Sequence, residues 1–411
     1  MSSNKTENTI SYQLEIQAIS PLHIGTQDLL ERSPYTDYYV DGDKVCYLDE
    51  QKLMAAVQKK GLLDEYLDIV SEFDNNRAKE SIGTFISKHL DGGDFSAYTH
   101  ENHGLESDMR LPIAPTISSK GQAYVPGSSL KGALRTAILY HWLCKKGSRV
   151  LKKSFREIER LQATNSRKRQ LRRNDYHARR DIQREENRIL RNILPEEELF
   201  GRITSSDARR IRVRDCTPVT QEQVGVYLAQ RYRLIPQRNR YKSRNQNSIP
   251  QPRQAILPGT DFSGELNLLL PFANPDLRYL SDKAQFINDI NYLAEDSIDN
   301  EIYQLGMAVH EGGQFKERAE SLIRFYEADL KPLLQEPNTI LLRLGGGKTV
   351  YDNSLLLALI YGDEKERERE YYFRILREAL FGVREDHDLF PVTRTLGPRG
   401  EVFGWVKVKV S

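Results

Sequence analysis

The chain has 411 residues, of which 39% are hydrophobic and 29% are charged, so it holds enough apolar material for a buried core. Its apolar runs are far shorter than the roughly 20 residues that cross a bilayer, which predicts that no segment spans a membrane. The net charge is only +2, but Lys145–Arg191 carries 17 Lys and Arg against six acids, and Arg231–Arg253 carries seven and no acid. Cations concentrated in this way predict a polyanionic partner.

The amino-terminal residues and the cysteines predict a cytoplasmic protein. Met1–Ile10 is polar and lacks the apolar core of a secretory signal. Cys46, Cys144 and Cys216 lie far apart in the sequence, so they form neither a disulfide framework nor a CxxC zinc site. We therefore expect a reducing location, no bound metal and no other cofactor.

The first part of the chain carries strand signals followed by a helical pattern. Tyr12–Ile19 alternates apolar and polar residues, as a half-buried strand does, and the apolar runs around Asp41-Gly42-Asp43 predict a hairpin. The apolar spacing in Asp49–Phe73 is roughly helical. Gly92–Pro115 is rich in turn residues and is predicted to be loop.

Helices and short strands interleave through the rest of the chain. The predicted helices are Ser129–Leu143, Lys145–Leu194, Ala294–Leu334 and Glu366–Leu380, and the predicted strands are Val224–Ile235, Phe262–Leu270, Thr339–Leu344 and Val402–Val410. Because the strands are short, alternating and hairpin-linked, the pattern favours an antiparallel α+β core over a doubly wound parallel sheet. A ferredoxin-like β-α-β-β-α-β unit with large helical insertions fits this order.

We interpret the whole chain, 1–411, as one composite domain. Its predicted parts are a helical and loop insertion at 49–110, a basic helical insertion at 145–195, a basic hairpin tip at 236–258, a helical region at 275–335, and a carboxy-terminal part at 338–411 with strands, a glycine-rich loop and a helix. For the basic insertion, solvated helices with internal ion pairs and helices that contact a polyanion remain equally good interpretations.

The segment from Val125 to Ala137 predicts a phosphate-binding helix start. Pro126-Gly127 makes a turn, and Ser128 or Ser129 is a good N-cap whose helix would present free backbone N–H groups and a positive dipole end. Lys131 and Arg135, four residues apart, fall on one side of that helix. The alternative is an ordinary capped helix with two solvated cations.

The run Gly345-Gly346-Gly347-Lys348-Thr349 resembles the end of a nucleotide-binding loop. An NTPase loop needs a further glycine at the position of Leu342, so an ATPase is disfavoured. Three glycines allow a nucleic-acid backbone to approach closely, and Lys348 adds charge, although a simple flexible turn is the alternative.

The stretch Arg231–Arg253, which contains no acidic residue, interleaves cations with tyrosines. Arginine binds phosphate and tyrosine stacks on unpaired bases, which is the combination used for single-stranded nucleic acid; a solvated hairpin tip is the alternative. The candidate residues here are Arg231, Arg233, Arg238, Arg240, Tyr241 and Arg244.

Candidate catalytic groups are scattered. His100 and His103 have His-x-x-His spacing without a cysteine to complete a zinc set, so we interpret them as loop histidines. Asp28 and Asp37 are isolated acids in the loop that follows the first strand. No nucleophile–base grouping is defensible from the sequence, so we predict no catalytic residues.

Several of these segments together resemble the RAMP superfamily of CRISPR-associated proteins. The resemblance rests on Ser20–Gly25, Val125–Arg135 and Leu344–Gly347, with Phe200–Asp215 and Leu257–Phe262 similar to the intervening motifs. Within the superfamily, the layout resembles the subunit that caps the guide-RNA 3′ end in type III-A Csm effector complexes.

The resemblance implies an RNA-recognition-type, ferredoxin-like core and a non-catalytic RNA-binding subunit. Its implied partners are the 3′ region of the CRISPR RNA, neighbouring Csm backbone and small subunits, and a recruited trimming nuclease. Carried over by motif, the residues that would face or shape the RNA site are His23, Gly25, Ser128, Ser129, Lys131, Arg135 and Gly345–Lys348. A RAMP endoribonuclease that uses a loop Asp or His remains the alternative.

Overall fold

The structure is a computed structural model that describes residues 8–25, 30–74, 80–171, 175–234, 250–311, 316–352, 355–362, 371, 374–375, 377–380 and 390–411. Asp28 and most of the predicted hairpin tip, including Arg238, Arg240, Tyr241 and Arg244, lie outside the described residues.

Thirteen strands and ten α-helices are assigned within these residues. The strands are β1 (Thr9–Ala18), β2 (Tyr38–Asp41), β3 (Lys44–Leu48), β4 (Ser96–His103), β5 (Ser118–Ser119), β6 (Gln122–Ala123), β7 (Ile211–Val213), β8 (Val224–Arg233), β9 (Gln251–Ile256), β10 (Asp261–Leu269), β11 (Thr339–Arg343), β12 (Thr393–Leu396) and β13 (Trp405–Val410). The helices are α1 (Glu50–Lys60), α2 (Leu63–Asp74), α3 (Ile82–His89), α4 (Gly127–Lys145), α5 (Ser148–Gln170), α6 (Tyr176–Asn192), α7 (Glu197–Phe200), α8 (Lys283–Glu311), α9 (Lys316–Arg324) and α10 (Leu356–Tyr361). Short 3₁₀ segments lie at Ile203–Ser205, Asp207–Arg210, Gln221–Gln223, Pro275–Ser281 and Lys331–Gln335, and Phe325–Leu330 forms a π-helical turn.

The main sheet is antiparallel and confirms the predicted ferredoxin-like core. Its strand order is β11-β13-β1-β10-β7. The four strands β13-β1-β10-β7 have the 4-1-3-2 order of a β-α-β-β-α-β unit, with α4 following the first strand, α8 following the third, and β11 added at the edge. The chain is therefore an α+β protein with large helical insertions.

The alternation predicted for the first strand holds across the sheet. Leu14 lies between Gly264 of β10 and Val410 of β13, and Ile16 lies between Phe262 and Val408. Tyr12, Leu14, Ile16 and Ala18 are buried in the largest hydrophobic cluster, which also contains the apolar face of α4. This packing fixes where the loop after β1 and the amino terminus of α4 emerge.

A second sheet has the order β12-β8-β4-β3-β2, with β9 paired to β8. The prediction that Gly92–Pro115 is loop throughout is wrong, because this stretch contains the strand β4. The strand pairs antiparallel with β3 and parallel with β8, and both partners are distant in sequence. Leu22, which follows β1, forms a bridge with Ile256 at the end of β9. This bridge joins the two sheets beside the site described below.

The basic insertion forms a helical hairpin of α5 and α6. Its two helices are held together by ion pairs between Arg167 and Glu185 (2.9 Å) and between Lys168 and Glu186 (2.6 Å). Leu194 N donates to Ser154 Oγ across the base of the hairpin (3.0 Å). No helix in the described part of the chain is both long and apolar enough to cross a membrane.

Candidate nucleic-acid interface

Three motifs that are far apart in the sequence meet in one groove of about 830 Å³. Its walls come from the loop after β1, the first turns of α4, the start of β9 and the glycine-rich loop after β11. The residues that line it include His23, Gly25, Ser128, Ser129, Gly132, Thr136, Gln251, Arg253, Gly345, Gly346 and Lys348. Seven of the residues selected from the sequence line this one surface: His23, Gly25, Ser128, Ser129, Gly345, Gly346 and Lys348.

His23 is a buried, neutral anchor of this groove. Its Nδ1–H donates to the carbonyl oxygen of Gln254 in β9 (2.7 Å). Burial lowers the pKa of His23 to about 4, and the nearby Arg253 acts in the same direction. The imidazole is therefore uncharged at neutral pH, and it orients the loop after β1 rather than supplying a positive charge to a phosphate.

The glycine-rich loop packs directly on the backbone of His23. Gly345 and Gly347 have φ values of +67° and +83°, which favour glycine. Gly346 N donates to His23 O (2.8 Å), and a Cβ atom on Gly345 would collide with that same oxygen. Close packing of the two loops therefore requires glycine at position 345. Gly345 and Gly346 both line the groove.

A buried ion pair connects the residues on either side of the glycine-rich loop. Arg343 and Asp352 are joined at 2.6 Å with side chains that are 3% and 1% exposed. Arg343 also donates from Nε to Phe403 O (3.1 Å), and Asp352 accepts from Thr349 N and from Ser297 Oγ. Burial opposes ionisation of Asp352, but Arg343 and the Thr349 N–H outweigh it and lower its pKa. Both ends of the glycine-rich loop are fixed by this network.

The loop after β1 and the glycine-rich loop also share the start of β13. Gly404 N donates to Pro21 O (2.9 Å), and Gly404 O accepts from Leu344 N (2.7 Å). Trp405 N donates to Ser20 Oγ (2.9 Å). One short segment therefore sets the spacing of the two loops that form the groove wall.

The start of α4 differs from the predicted phosphate seat. The helix begins at Gly127, with Pro126 as N-cap and no side-chain cap, so Ser128 and Ser129 lie within the first turn. Gly127 N donates to Asp215 Oδ1 (2.7 Å), and Gly127 has no room for a Cβ atom against the backbone of Val213 and Arg214. A carboxylate thus takes the first N–H because close packing on the end of β7 brings Asp215 there.

The sequence pattern that defines the RAMP superfamily matches residues 15–350, which include every segment of the groove. This chain belongs to the RAMP superfamily. As a RAMP protein it is similar to three curated proteins described as the CRISPR system protein Csm5. They come from Methanocaldococcus jannaschii (25% identical over 156 residues, 36% of this chain and 35% of the relative), Streptococcus thermophilus (25% over 138 residues, 31% and 38%) and Enterococcus italicus (26% over 151 residues, 31% and 42%). The matched part of this chain thus spans roughly two fifths or less of the length of each of these relatives.

Solved structures share the same RAMP fold. One chain of a cryo-EM structure of a Csm–crRNA–target RNA ternary complex from a type III-A CRISPR–Cas system superposes with a TM-score of 0.60 at 23% identity, covering 97% of this chain and 100% of that chain. The crystal structure of T. onnurineus Csm5 gives a TM-score of 0.58 at 23% identity, covering 95% and 99%. The resemblance to this superfamily stated from the sequence is therefore confirmed.

Two predicted cations of the RAMP motif lie beside the groove without lining it. Arg135 is ion-paired with Glu196 and lies over the ring of Phe200 (5.8 Å to its centroid). Lys131 is partly buried, and this burial, with the nearby Arg135 and Arg212, lowers its pKa. Their contact with RNA remains a prediction.

Arg253 is the groove cation that the sequence reasoning did not select. It lines the groove from β9, where its Nη2 donates to Gln251 Oε1 (2.6 Å). Burial, with the nearby Arg231, lowers the pKa of Arg253, and an arginine remains charged throughout the physiological range. The signal that could have found it is its place at the end of the acid-free run. Arg231 and Arg233 lie on β8, opposite Thr395 and Thr393 of β12.

The isolated titratable residues of this RAMP chain are structural where they are described. His100 and His103 belong to β4 and not to a loop: His100 Nε2 lies 2.7 Å from Gln221 Oε1, and the His103 ring stacks on Tyr227 at 4.0 Å. Asp37 closes its own turn by accepting from Ser33 N (2.8 Å). Among the described residues, no group of three or more His, Cys, Asp or Glu is arranged to hold a metal ion.

Proposed function

We propose that this RAMP chain is a non-catalytic, RNA-binding subunit of a type III-A Csm ribonucleoprotein. In this proposal its groove holds the sugar–phosphate backbone of the CRISPR RNA near the 3′ end. The subunit would cap the filament of backbone subunits and contribute to 3′-end maturation and antiviral defence, with a separate nuclease trimming the RNA.

The observation that carries the proposal is the convergence of the three motifs in one groove. Arg253 and Lys348 supply positive charge, the serines at the start of α4 supply hydroxyl groups, and the glycine-rich loop allows close approach of a backbone. These groups suit contacts with the phosphates and sugars of a nucleic acid. Binding should therefore be electrostatic and largely independent of sequence. The similarity to Csm5 proteins supports a place in a Csm complex, whereas the 3′ position and the capping role are proposed from the motif resemblance.

Replacing the two groove cations should weaken RNA binding and make its affinity less dependent on the salt concentration. For single strands each phosphate contact contributes about 0.7 to the slope of log K against log salt, so Arg253→Gln with Lys348→Gln should lower the slope by about 1.4. The measurement is a salt titration of the full chain with a fluorescein-labelled 30-nucleotide oligouridylate, followed by fluorescence anisotropy.

The matched control is Lys60→Gln with Lys88→Gln. These lysines form surface ion pairs with Asp91 and Glu80 (both 2.6 Å) and lie outside the groove. The control removes the same formal charge and should leave the slope unchanged. Equal slopes for the groove variant and the unmodified chain would contradict the proposed interface.

Reconstituted complexes should keep their target-RNA cleavage pattern when Asp28→Ala or Asp37→Ala is introduced. Asp37 is engaged in its own turn, and metal-dependent cleavage needs converging carboxylates that the described residues do not provide. Gel analysis of the RNA products makes the test. Loss of one internal cut in either variant would show that the chain is itself a ribonuclease.

A further inference from the structure

One face of the first half of α5 carries four exposed cations that the groove does not use. Arg149, Lys152, Lys153 and Arg156 recur at i, i+3, i+4 and i+7, which places them on one side of the helix. The opposite side is buried in the main core through Val150, Leu151, Phe155 and Ile158. We call the four cations the α5 basic face.

The α5 basic face differs from the other half of the same helix. Further along α5, Arg160 pairs with Glu157 (2.7 Å) and Arg167 pairs with Glu185 (2.9 Å). Within the described part of the chain, the basic face forms one ion pair, between Lys153 and Glu198 at 4.0 Å. The first half of α5 thus has one long ion pair, whereas the second half has several closer ones.

This arrangement is unfavourable for the isolated chain. Like charges three and four residues apart on a helix repel each other, and the basic face contains four such pairs. Its side chains surround a shallow concave surface of about 570 Å³, shared with Ser148 and Glu198. A polyanion that enters this concavity would relieve the repulsion and release its own counterions.

The basic face and the groove are separate surfaces that share no lining residue. The groove uses the first turns of α4 up to Thr136, whereas α5 begins only after the end of α4 at Lys145. With a rise of 1.5 Å per residue, the distance along α4 from Thr136 to Lys145 is about 14 Å. A ligand that occupies both sites must therefore be an extended chain of phosphates.

We propose that the α5 basic face is a second phosphate-binding site, occupied by RNA that continues beyond the groove. This site goes beyond the proposed function, since it assigns a role to the insertion that the superfamily motifs do not cover. The RNA backbone would run along the side of α4 from the groove to α5. Its contacts are electrostatic and independent of base sequence.

The test compares two variants of the full chain with the same 30-nucleotide oligouridylate and salt titration. Lys152→Gln with Arg156→Gln should lower the slope of log K against log salt by about 1.4. The control, Arg160→Gln with Arg167→Gln, removes the same charge from the same helix at ion-paired positions and should leave the slope unchanged. The melting temperature of the basic-face variant should not fall, because two repelling charges have been removed.

Combining the basic-face and groove substitutions separates the two proposals. If one RNA occupies both sites, the combined variant should lose about 2.8 in slope, the sum of the separate losses. If the basic-face variant lowered the slope and the groove variant did not, only the proposed function would be contradicted. An unchanged slope in the basic-face variant, an equal loss in the control, or failure of the unmodified chain to bind the RNA at low salt would overturn the second site. If the basic-face variant kept the full slope but no longer joined partner subunits, the face would bind an acidic protein instead of RNA.

Discussion

Gly345→Ala should remove RNA binding by the groove and destabilise the protein by about 2–5 kcal/mol. A Cβ atom at this position meets the carbonyl oxygen of His23, and the φ of +67° is strained for any residue with a side chain. Relief requires the glycine-rich loop to move away from His23, which opens the groove wall. Urea unfolding would give the loss of stability, and RNA anisotropy would give the loss of binding.

Gly132→Ala is the control for this experiment. Gly132 lines the same groove from α4, and a Cβ atom there meets nothing within 4 Å. Alanine is the better helix former, so this variant should gain up to about 1 kcal/mol of stability. If Gly345→Ala were as stable as Gly132→Ala, the close packing of the glycine-rich loop on His23 would be wrong.

Asp352→Asn should cost about 3–5 kcal/mol, because it leaves the charge of Arg343 buried without its partner. The pKa of Asp352 is lower in the folded chain than in the unfolded one, so its stabilisation is complete above about pH 4 and is lost as the pH falls below that value. The free energy of unfolding of the unmodified chain should therefore drop more steeply in acid than that of Asp352→Asn. Urea unfolding at several pH values measures both effects.

The control for Asp352 is Asp91→Asn. Asp91 forms an ion pair of the same length, 2.6 Å, with Lys60, but its side chain is 86% exposed. Its φ of +57° is one that asparagine tolerates, so the change in stability should stay within about 1 kcal/mol. A loss of similar size in both variants would show that the Arg343–Asp352 pair contributes no more than a surface ion pair.

Elements with a strong local pattern could be predicted from the sequence. The alternation in β1 and the apolar face of α4 correctly predicted which of their residues are buried, because the environment of each residue follows from the period of its element. The superfamily motifs also selected the loop after β1, the start of α4 and the glycine-rich loop, which are three of the four segments named above as walls of the groove. These signals needed no knowledge of how distant segments pack.

Features that depend on distant partners could not be predicted. The strand β4 has a turn-rich sequence and exists because β3 and β8 pair with it. The first N–H of α4, that of Gly127, donates to Asp215, which lies 88 residues further along the chain. Arg253 is one cation among seven in its run, and only its position on β9 distinguishes it. In each case the local composition is compatible with several structures, and the tertiary contact chooses among them.

The position of β13 makes the groove wall depend on residues that lie far from both groove loops in the chain. Residues 404–405 tie the loop after β1 to the glycine-rich loop, and β13 lies between β1 and β11 in the sheet. A nascent chain that has exposed only residues before Gly404 therefore has every predicted RNA-facing side chain but no completed groove. The spacing of the two loops that line the groove therefore depends on residues far along the chain, so the groove wall is complete only once residues 404–405 have joined the sheet.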